Sequence, residues 1–101
     1  ATELKQIVAA AGTMPVILLG DFNAVPTAPS IAAIREFLTD VWTAIGTGGG
    51  FTIPVKKPAR RIDYVWITPA TITPVKMEVI TSDIAAVASD HLPIVAELQL
   101  K

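Results

Sequence analysis

The chain has 101 residues, of which 51% are hydrophobic, 17% are charged and none is cysteine. The lack of cysteine excludes disulfide bonds and thiolate metal ligands, and the net charge of −1 excludes an overall basic field that would attract nucleic acid. The longest purely apolar stretch, residues 15–19, is far shorter than the ~20 residues of a membrane-spanning helix, so we expect no membrane insertion. This length favours one domain, and its apolar content favours a second apolar face that is covered by a partner.

The first half of the chain predicts two helices separated by a strand. Thr2 suits the N-cap of a helix that has apolar residues at helical spacing and ends at Gly12. Residues 16–19 form an apolar run typical of a strand buried on both faces, and residues 20–29 predict a loop because they contain two prolines. Ser30 is predicted to cap the second helix. Its apolar stripe would consist of Ile31, Ile34, Phe37, Leu38, Val41 and Trp42.

The second half predicts strands. Residues 46–50 favour a flexible turn, and residues 51–53 suit a short strand before a basic connection. Strands are then predicted at residues 61–68, 73–80 and 94–100, from β-branched and aromatic residues or from alternating polarity. In the second of these, Val75, Met77 and Val79 are expected on one face. The chain is therefore predicted to be mixed α/β, with helices on one side of a sheet.

Three segments place polar residues at the ends of apolar strands. In GDFNA, residues 20–24, Asp21 can take a proton from water or bind a metal, and Asn23 can donate to a phosphate oxygen. Both residues also suit an ordinary turn. In RIDYVW, residues 61–66, Asp63 interrupts a buried pattern, which requires either a partner or an exposed edge strand. In SDHLP, residues 89–93, Asp90 and His91 suit a metal and a phosphate, or a solvated loop.

In this order, the three segments resemble the C-terminal half of the endonuclease/exonuclease/phosphatase (DNase I-like) superfamily. The resemblance covers nearly all of residues 1–101 as a single half-domain, and Phe51, Thr52 and Pro58 also match the family's pattern. Each motif is weak alone, whereas the ordered triple is specific. The resemblance implies an α/β fold that is half of a four-layer α/β/β/α sandwich. Its one mixed, mainly antiparallel sheet would carry two helices on one face.

The resemblance also implies a role for each polar residue. Asp21 matches the acid that orients or deprotonates the attacking water, and Asn23 matches the amide that steadies charge on the phosphate. His91 matches the histidine on the scissile phosphate, and Asp63 matches the acid that holds its tautomer. Asp90, together with Asp21, matches the ligands of a divalent cation, which would be magnesium or manganese. These roles suit phosphoryl transfer, which depends on positioning and charge neutralisation.

A basic stretch precedes the RIDYVW segment. Half of the eight basic residues lie within six positions, as Lys56, Lys57, Arg60 and Arg61. The stretch could contact a nucleic-acid backbone, and it could equally be a solvated loop. We therefore assign Arg60 and Arg61 to substrate binding, beside Asn23 and His91.

The resemblance also implies that part of the family fold lies outside these 101 residues. The N-terminal half of family members supplies an Asn, a metal-binding Glu and a second His, and nothing in this sequence matches them. Half of the sandwich would expose the inner face of its sheet. Its lining would come from alternate residues of 16–19 and from Val65, Ile67, Ile94, Ala96 and Leu98. We expect this face to pair with a second copy in a homodimer, or with the missing N-terminal half.

Two classes of function follow. The leading hypothesis is a magnesium-dependent phosphodiesterase, most plausibly a nuclease acting on nucleic acid, and a phosphatase of lipid or sugar phosphates belongs to the same class. The alternative class is a catalytically incomplete half-domain that serves as a dimerising or assembly module. Hydrolysis of plasmid DNA with magnesium, with and without chelator, separates the two.

Overall fold

The fold is described by a computed structural model over residues 2–81 and 90–101. Within these ranges the helices are α1 (Thr2–Ala11), α2 (Pro29–Arg35) and α3 (Val41–Ile45). The strands are β1 (Ile17–Asp21), β2 (Thr39–Asp40), β3 (Asp63–Ile67), β4 (Ile72–Val79) and β5 (Ile94–Leu100). None of the helices described is long and apolar enough to cross a membrane.

The strands form two antiparallel sheets in the described part of the chain. One has the order β1-β3-β2 and the other pairs β4 with β5. The predicted α/β class is therefore confirmed, although the strands that were expected in one mixed sheet are divided between two. The two-residue strand β2 was not predicted, because it is too short to show an alternating pattern.

The central strand β3 separates two apolar clusters, because successive side chains of a strand point to opposite faces. Tyr64 and Trp66 pack towards α1 and α2, whereas Val65 and Ile67 pack towards α3, β4 and β5. The first cluster also contains Ile31, Ile34 and Leu38, and the second contains Val41, Trp42, Ile72 and Met77. Both clusters are buried, so β3 is covered on both sides over most of its length.

The predicted second helix is wrong in its extent. It begins at Pro29 with Ala28 as the N-cap, and Ser30 lies within it. The proline fixes the backbone angle that the first helical turn requires. The helix ends at Arg35, and after β2 the chain enters α3, whose N-cap Asp40 accepts a hydrogen bond from the backbone N–H of Trp42 at 3.2 Å. The predicted single stripe is therefore divided between two helices and two clusters.

Helix α1 and the other strands agree more closely with the sequence. Helix α1 ends before Gly12, which adopts the positive φ typical of a residue after a helix. Strand β5 has its predicted bounds. In β4 the pairing shifts between Pro74 and Lys76, and this bulge leaves Val75 exposed instead of on the face of Met77. Residues 51–53 form no regular strand, although Ile53 makes an isolated bridge with Arg60.

One face of β1 is open. Ile17 and Leu19 are 47% and 67% exposed, whereas Leu18 is half-buried against the α2 side. The prediction that this strand is buried on both faces is therefore wrong for the chain alone. The physical reason is that the described part of the chain contains no element that covers this face of β1.

Candidate active site

Two carboxylates meet at the ends of neighbouring strands. Asp21 is the last residue of β1 and Asp63 is the first residue of β3, and the two pair directly across the antiparallel ladder. Directly opposed residues place their side chains on the same face of a sheet. The strand pairing alone therefore brings together two acids that are far apart in sequence.

The loop before β5 brings His91 to these acids. Its Nδ1 lies 2.8 Å from Asp63 Oδ2, and its Nε2 lies 3.6 Å from Asp21 Oδ2. The first distance agrees with the hydrogen bond predicted from the sequence. This hydrogen bond to Asp63 is the main cause that raises the pKa of His91, and burial partly opposes it. The negative charges of Asp63, Asp21 and Asp90 raise it further.

Thr52 is a site residue whose role was not predicted from the sequence. Its buried hydroxyl donates a hydrogen bond to Asp63 Oδ2 at 2.5 Å, the same oxygen that contacts His91. Its carbonyl oxygen accepts the backbone N–H of Leu92 at 2.9 Å. The sequence offered one signal, the match of Phe51 and Thr52 to the family's pattern, but no spacing rule connects residue 52 to residue 63.

The loop after β1 is a turn as well as part of the site. Asp21 Oδ1 accepts the backbone N–H of Asn23 at 2.7 Å, and Asn23 adopts a φ of +49°, which asparagine tolerates better than most residues. The Tyr64 hydroxyl lies 2.7 Å from the carbonyl oxygen of Ala24 and holds the loop against β3. Burial of that hydroxyl raises the pKa of Tyr64 to about 12. Asn23 is exposed beside Asp21, where it was predicted.

The assignment of Arg61 to substrate binding is wrong. Its side chain is 7% exposed, and its guanidinium lies 2.8 Å and 3.0 Å from the two carboxylate oxygens of Asp40. It also lies 4.8 Å from the centre of the Tyr64 ring. Asp40 and Arg61 are 21 positions apart, so no local sequence pattern predicts that they form an ion pair. Arg60 is exposed, as a substrate contact requires, on the segment that leads into β3.

The ligand atoms of Asp21, Asp63 and His91 lie within 4.8 Å of one another, which is close enough for a shared cation. Asp63 already accepts two hydrogen bonds, so Asp21 is the more available carboxylate. The predicted ligand Asp90 is exposed and is not one of these three residues, and Ser89 of the same motif lies outside the described residues. Because magnesium takes oxygen ligands and often only one or two carboxylates with several waters, the carboxylate oxygens of this cluster fit it, whereas the imidazole nitrogen of His91 is not a ligand that it prefers.

An open groove of about 560 Å³ begins at this cluster and runs between the two sheets. Asp63 and His91 line one end. The rest of the lining is mostly apolar and includes Ile17, Leu19, Val65, Ile94, Ala96 and Leu98. These are the residues expected on an open sheet face, except that Ile67 does not line the groove; Val65 lines it and also packs in the second cluster.

The sequence profile of the Endonuclease/Exonuclease/phosphatase family matches residues 3–91, a range that includes the first two motifs and the third as far as His91. The chain belongs to this family. The resemblance inferred from the motifs is therefore confirmed. A comparison with curated proteins finds no match.

Several solved structures share the fold over almost the whole chain. A family member from Bacteroides vulgatus superposes with a TM-score of 0.81 at 24% identity and 99% coverage of this chain. A family member from Bacteroides thetaiotaomicron gives 0.71 at 24% identity and 96% coverage. A mannosyl-6-phosphatase from Bacteroides thetaiotaomicron gives 0.70 at 26% identity and 97% coverage. The chain spans only 42% of the length of each of these three structures.

Proposed function

We propose that this chain contributes the active site of a metal-dependent hydrolase of phosphoester bonds. The observation that carries the proposal is the cluster of Asp21, Asp63 and His91, in which one imidazole contacts two carboxylates at 2.8 Å and 3.6 Å. Membership of the Endonuclease/Exonuclease/phosphatase family supports hydrolysis of a phosphoester. Because the chain spans 42% of the related structures, the activity belongs to the assembled protein, of which this site is a part.

Within this proposal each side chain acts at a stated atom. Asp63 accepts the proton on Nδ1 of His91, and in the protonated ring Nε2, which lies 3.6 Å from Asp21 Oδ2, donates to a phosphate oxygen. The raised pKa of His91 increases its positive charge near neutral pH, which favours the negative charge that develops on the phosphate. Asp21 is exposed and orients or deprotonates the attacking water, and Asn23 donates to a phosphate oxygen.

The cofactor we propose is a divalent cation, with magnesium preferred over manganese. Asp21 would hold it, and the exposed Asp90 would complete the carboxylate set on this chain. When bound, such a cation neutralises the charge of the phosphate and lowers the pKa of bound water. The small number of carboxylates suits magnesium, which keeps several waters.

Nucleic acid is the first candidate substrate, which would make the protein a nuclease. The exposed residues Lys56, Lys57 and Arg60, on the segment that leads into β3, support it, since phosphate contacts dominate nucleic-acid affinity. The burial of Arg61 removes one of the four basic residues from this argument. The second candidate is a phosphomonoester such as a sugar phosphate, which the 26% identity with the mannosyl-6-phosphatase favours.

The test is hydrolysis by the wild-type protein of plasmid DNA and, separately, of mannose 6-phosphate. Each assay is run with magnesium, with manganese and with excess chelator. DNA cleavage that the chelator abolishes supports the nuclease, and phosphate release from the sugar alone moves the substrate class to a phosphomonoester. Lack of both activities in a folded, fully assembled protein would refute the proposed site and favour an assembly module without catalysis.

The same groove supports a proposal on assembly. We propose that a second copy of this chain covers the apolar lining and makes a homodimer packed sheet to sheet. Among the residues that the structure describes, the only acidic or basic side chains that line the groove are the paired Asp63 and His91, so the rest of the lining brings no like charges together in two copies. A companion polypeptide that supplies the rest of the family fold is the alternative occupant.

A further inference from the structure

Thr52 belongs to no strand or helix, yet it contacts the site through three different groups. Its side chain is 0% exposed, and its hydroxyl donates to Asp63 Oδ2 at 2.5 Å. The same carboxylate oxygen lies 2.8 Å from Nδ1 of His91. One oxygen therefore receives two donors, and Thr52 and His91 approach it from different segments of the chain.

The backbone of Thr52 fixes the two segments that flank the site. Its N–H donates to the carbonyl oxygen of Arg60 at 2.9 Å, which ties it to the segment that leads into Asp63. Its carbonyl oxygen accepts the N–H of Leu92 at 2.9 Å, which ties it to the residue after His91. The backbone of Thr52 is therefore fixed by hydrogen bonds to the segment before Asp63 and to the residue after His91.

We propose that Thr52 is a positioning residue that fixes the Asp63 carboxylate and, through it, the Nδ1-protonated tautomer of His91. An ionised carboxylate only accepts hydrogen bonds, so a second donor on Oδ2 restrains its rotation without competing for the proton of His91. The hydrogen bond that a neighbouring group makes with one ring nitrogen determines which of the two nitrogens carries the proton. This inference rests on the proposed roles of Asp63 and His91.

The rival interpretation is that Thr52 is an ordinary buried residue whose hydroxyl is simply satisfied by Asp63. Thr52→Val preserves shape and removes the hydroxyl, whereas Thr52→Ser preserves the hydroxyl and removes a methyl group. A structural role predicts that both variants change stability and neither changes the imidazole selectively. A positioning role predicts that only the valine variant changes the tautomer.

The experiment is nitrogen-15 NMR of the imidazole at a pH above its titration. The sequence contains one histidine, so the spectrum reports His91 alone. We expect the wild type and Thr52→Ser to be protonated mainly at Nδ1, and Thr52→Val to shift towards Nε2. In the Asp63→Asn background the valine substitution should add nothing, since its effect passes through Asp63. A wild-type tautomer population in folded Thr52→Val overturns the proposal.

Two further measurements keep the test decisive. If Thr52→Val does not fold, Thr52→Ala is compared with Thr52→Ser, and equal tautomer populations in these two variants overturn the proposal. Where the wild type hydrolyses a phosphoester, Thr52→Val should lower kcat about tenfold with little change in KM, as losses of supporting hydrogen bonds commonly do. The tautomer is read without substrate, so failure of the proposed hydrolase and failure of this inference are distinguishable.

Discussion

Asp21 and Asp63 are paired directly across the ladder between β1 and β3, so two acids project from adjacent strands on the same face. Like charges in this position destabilise a sheet. His91 contacts both, at 3.6 Å and 2.8 Å, and a protonated imidazole offsets their repulsion. The fold therefore tolerates the repulsion between Asp21 and Asp63 because His91 lies close to both carboxylates.

The first prediction concerns the titration of His91. The hydrogen bond to Asp63 raises its pKa above the ordinary value of 6.5, so Asp63→Asn should bring the pKa down, measured by NMR in metal-free protein. Asp90→Asn is the matched control, since Asp90 acts only through its charge and is the weakest contributor. An equal shift in the two variants would contradict the hydrogen-bonded geometry.

The same raised pKa predicts how stability depends on pH. A histidine whose pKa is higher in the folded than in the unfolded state stabilises the fold fully below its unfolded pKa, about 6.5. That contribution is lost as the pH rises through the folded pKa. The difference in free energy of unfolding between the wild type and His91→Gln should therefore be larger in mild acid than in mild alkali, measured by urea unfolding. If the difference in free energy of unfolding grew with pH instead, the pKa of His91 would be lowered by folding, which contradicts the prediction.

The catalytic prediction concerns Asp21 and His91. Asp21→Asn and His91→Ala should each lower kcat/KM by about 100-fold or more, as is typical of positioned acid–base groups. Both side chains are partly exposed, at 47% and 27%, so the fold should survive, which circular dichroism checks. Glu97→Gln, an exposed acid on β5 outside the cluster, is the control and should keep wild-type activity. Near wild-type turnover in Asp21→Asn or His91→Ala would remove that residue from the mechanism.

The parts of the site that the sequence predicted are those that a local pattern marks. Asp63 interrupts an apolar strand, and its need for a partner is met by His91 at 2.8 Å. The GDFNA segment forms the turn that its residues favour, because Asp21 accepts the N–H of Asn23, and Asp21 also lies 3.6 Å from His91, while its catalytic role stays a prediction. The bounds of β5 followed from its alternation, whereas the strand predicted at residues 61–68 is shorter at both ends, as β3.

The parts that the sequence did not predict depend on contacts between distant residues. Asp40 pairs with Arg61 across 21 positions, and Thr52 contacts Asp63 across 11. Helical periodicity continues through the break between α2 and α3, so the stripe suggested one helix where tertiary packing made two. The bulge in β4 follows Pro74, which cannot donate to the ladder and is the signal that could have predicted it.

The fourth prediction separates Arg61 from Arg60. Arg61→Met removes the nearer counter-charge of the buried Asp40, leaving Arg35 at 4.0 Å, and should lower the free energy of unfolding by about 3 kcal/mol in urea titrations. Arg60→Met changes an exposed side chain and should cost about 0.5 kcal/mol or less. For DNA cleavage we expect Arg60→Met to lower the rate more than Arg61→Met does, because of the two side chains only that of Arg60 is exposed to a phosphate. Equal destabilisation by the two substitutions would contradict the buried ion pair.

The last prediction concerns the groove. Leu19 is 67% exposed on the groove face of β1, and Val95 is 49% exposed on β5 but outside the groove lining. If a second copy covers the groove, Leu19→Asp places a charge in the interface and should give a monomer by light scattering at micromolar concentration. Val95→Asp should remain a dimer like the wild type. Burial of apolar surface favours association by about 25 cal/mol per Å², although binding costs consume much of this.

Two outcomes would decide against a second copy. A wild-type monomer mass means that this face is covered by a companion polypeptide or not at all. Recovery of activity on adding that companion, to the wild type and not to Leu19→Asp, would identify it as the occupant. A dimer mass in both aspartate variants would place the interface elsewhere on the chain. Because Asp63 and His91 line one end of the groove, whatever covers it lies beside the proposed phosphate site. Dimer disruption and loss of hydrolysis should therefore occur together in Leu19→Asp.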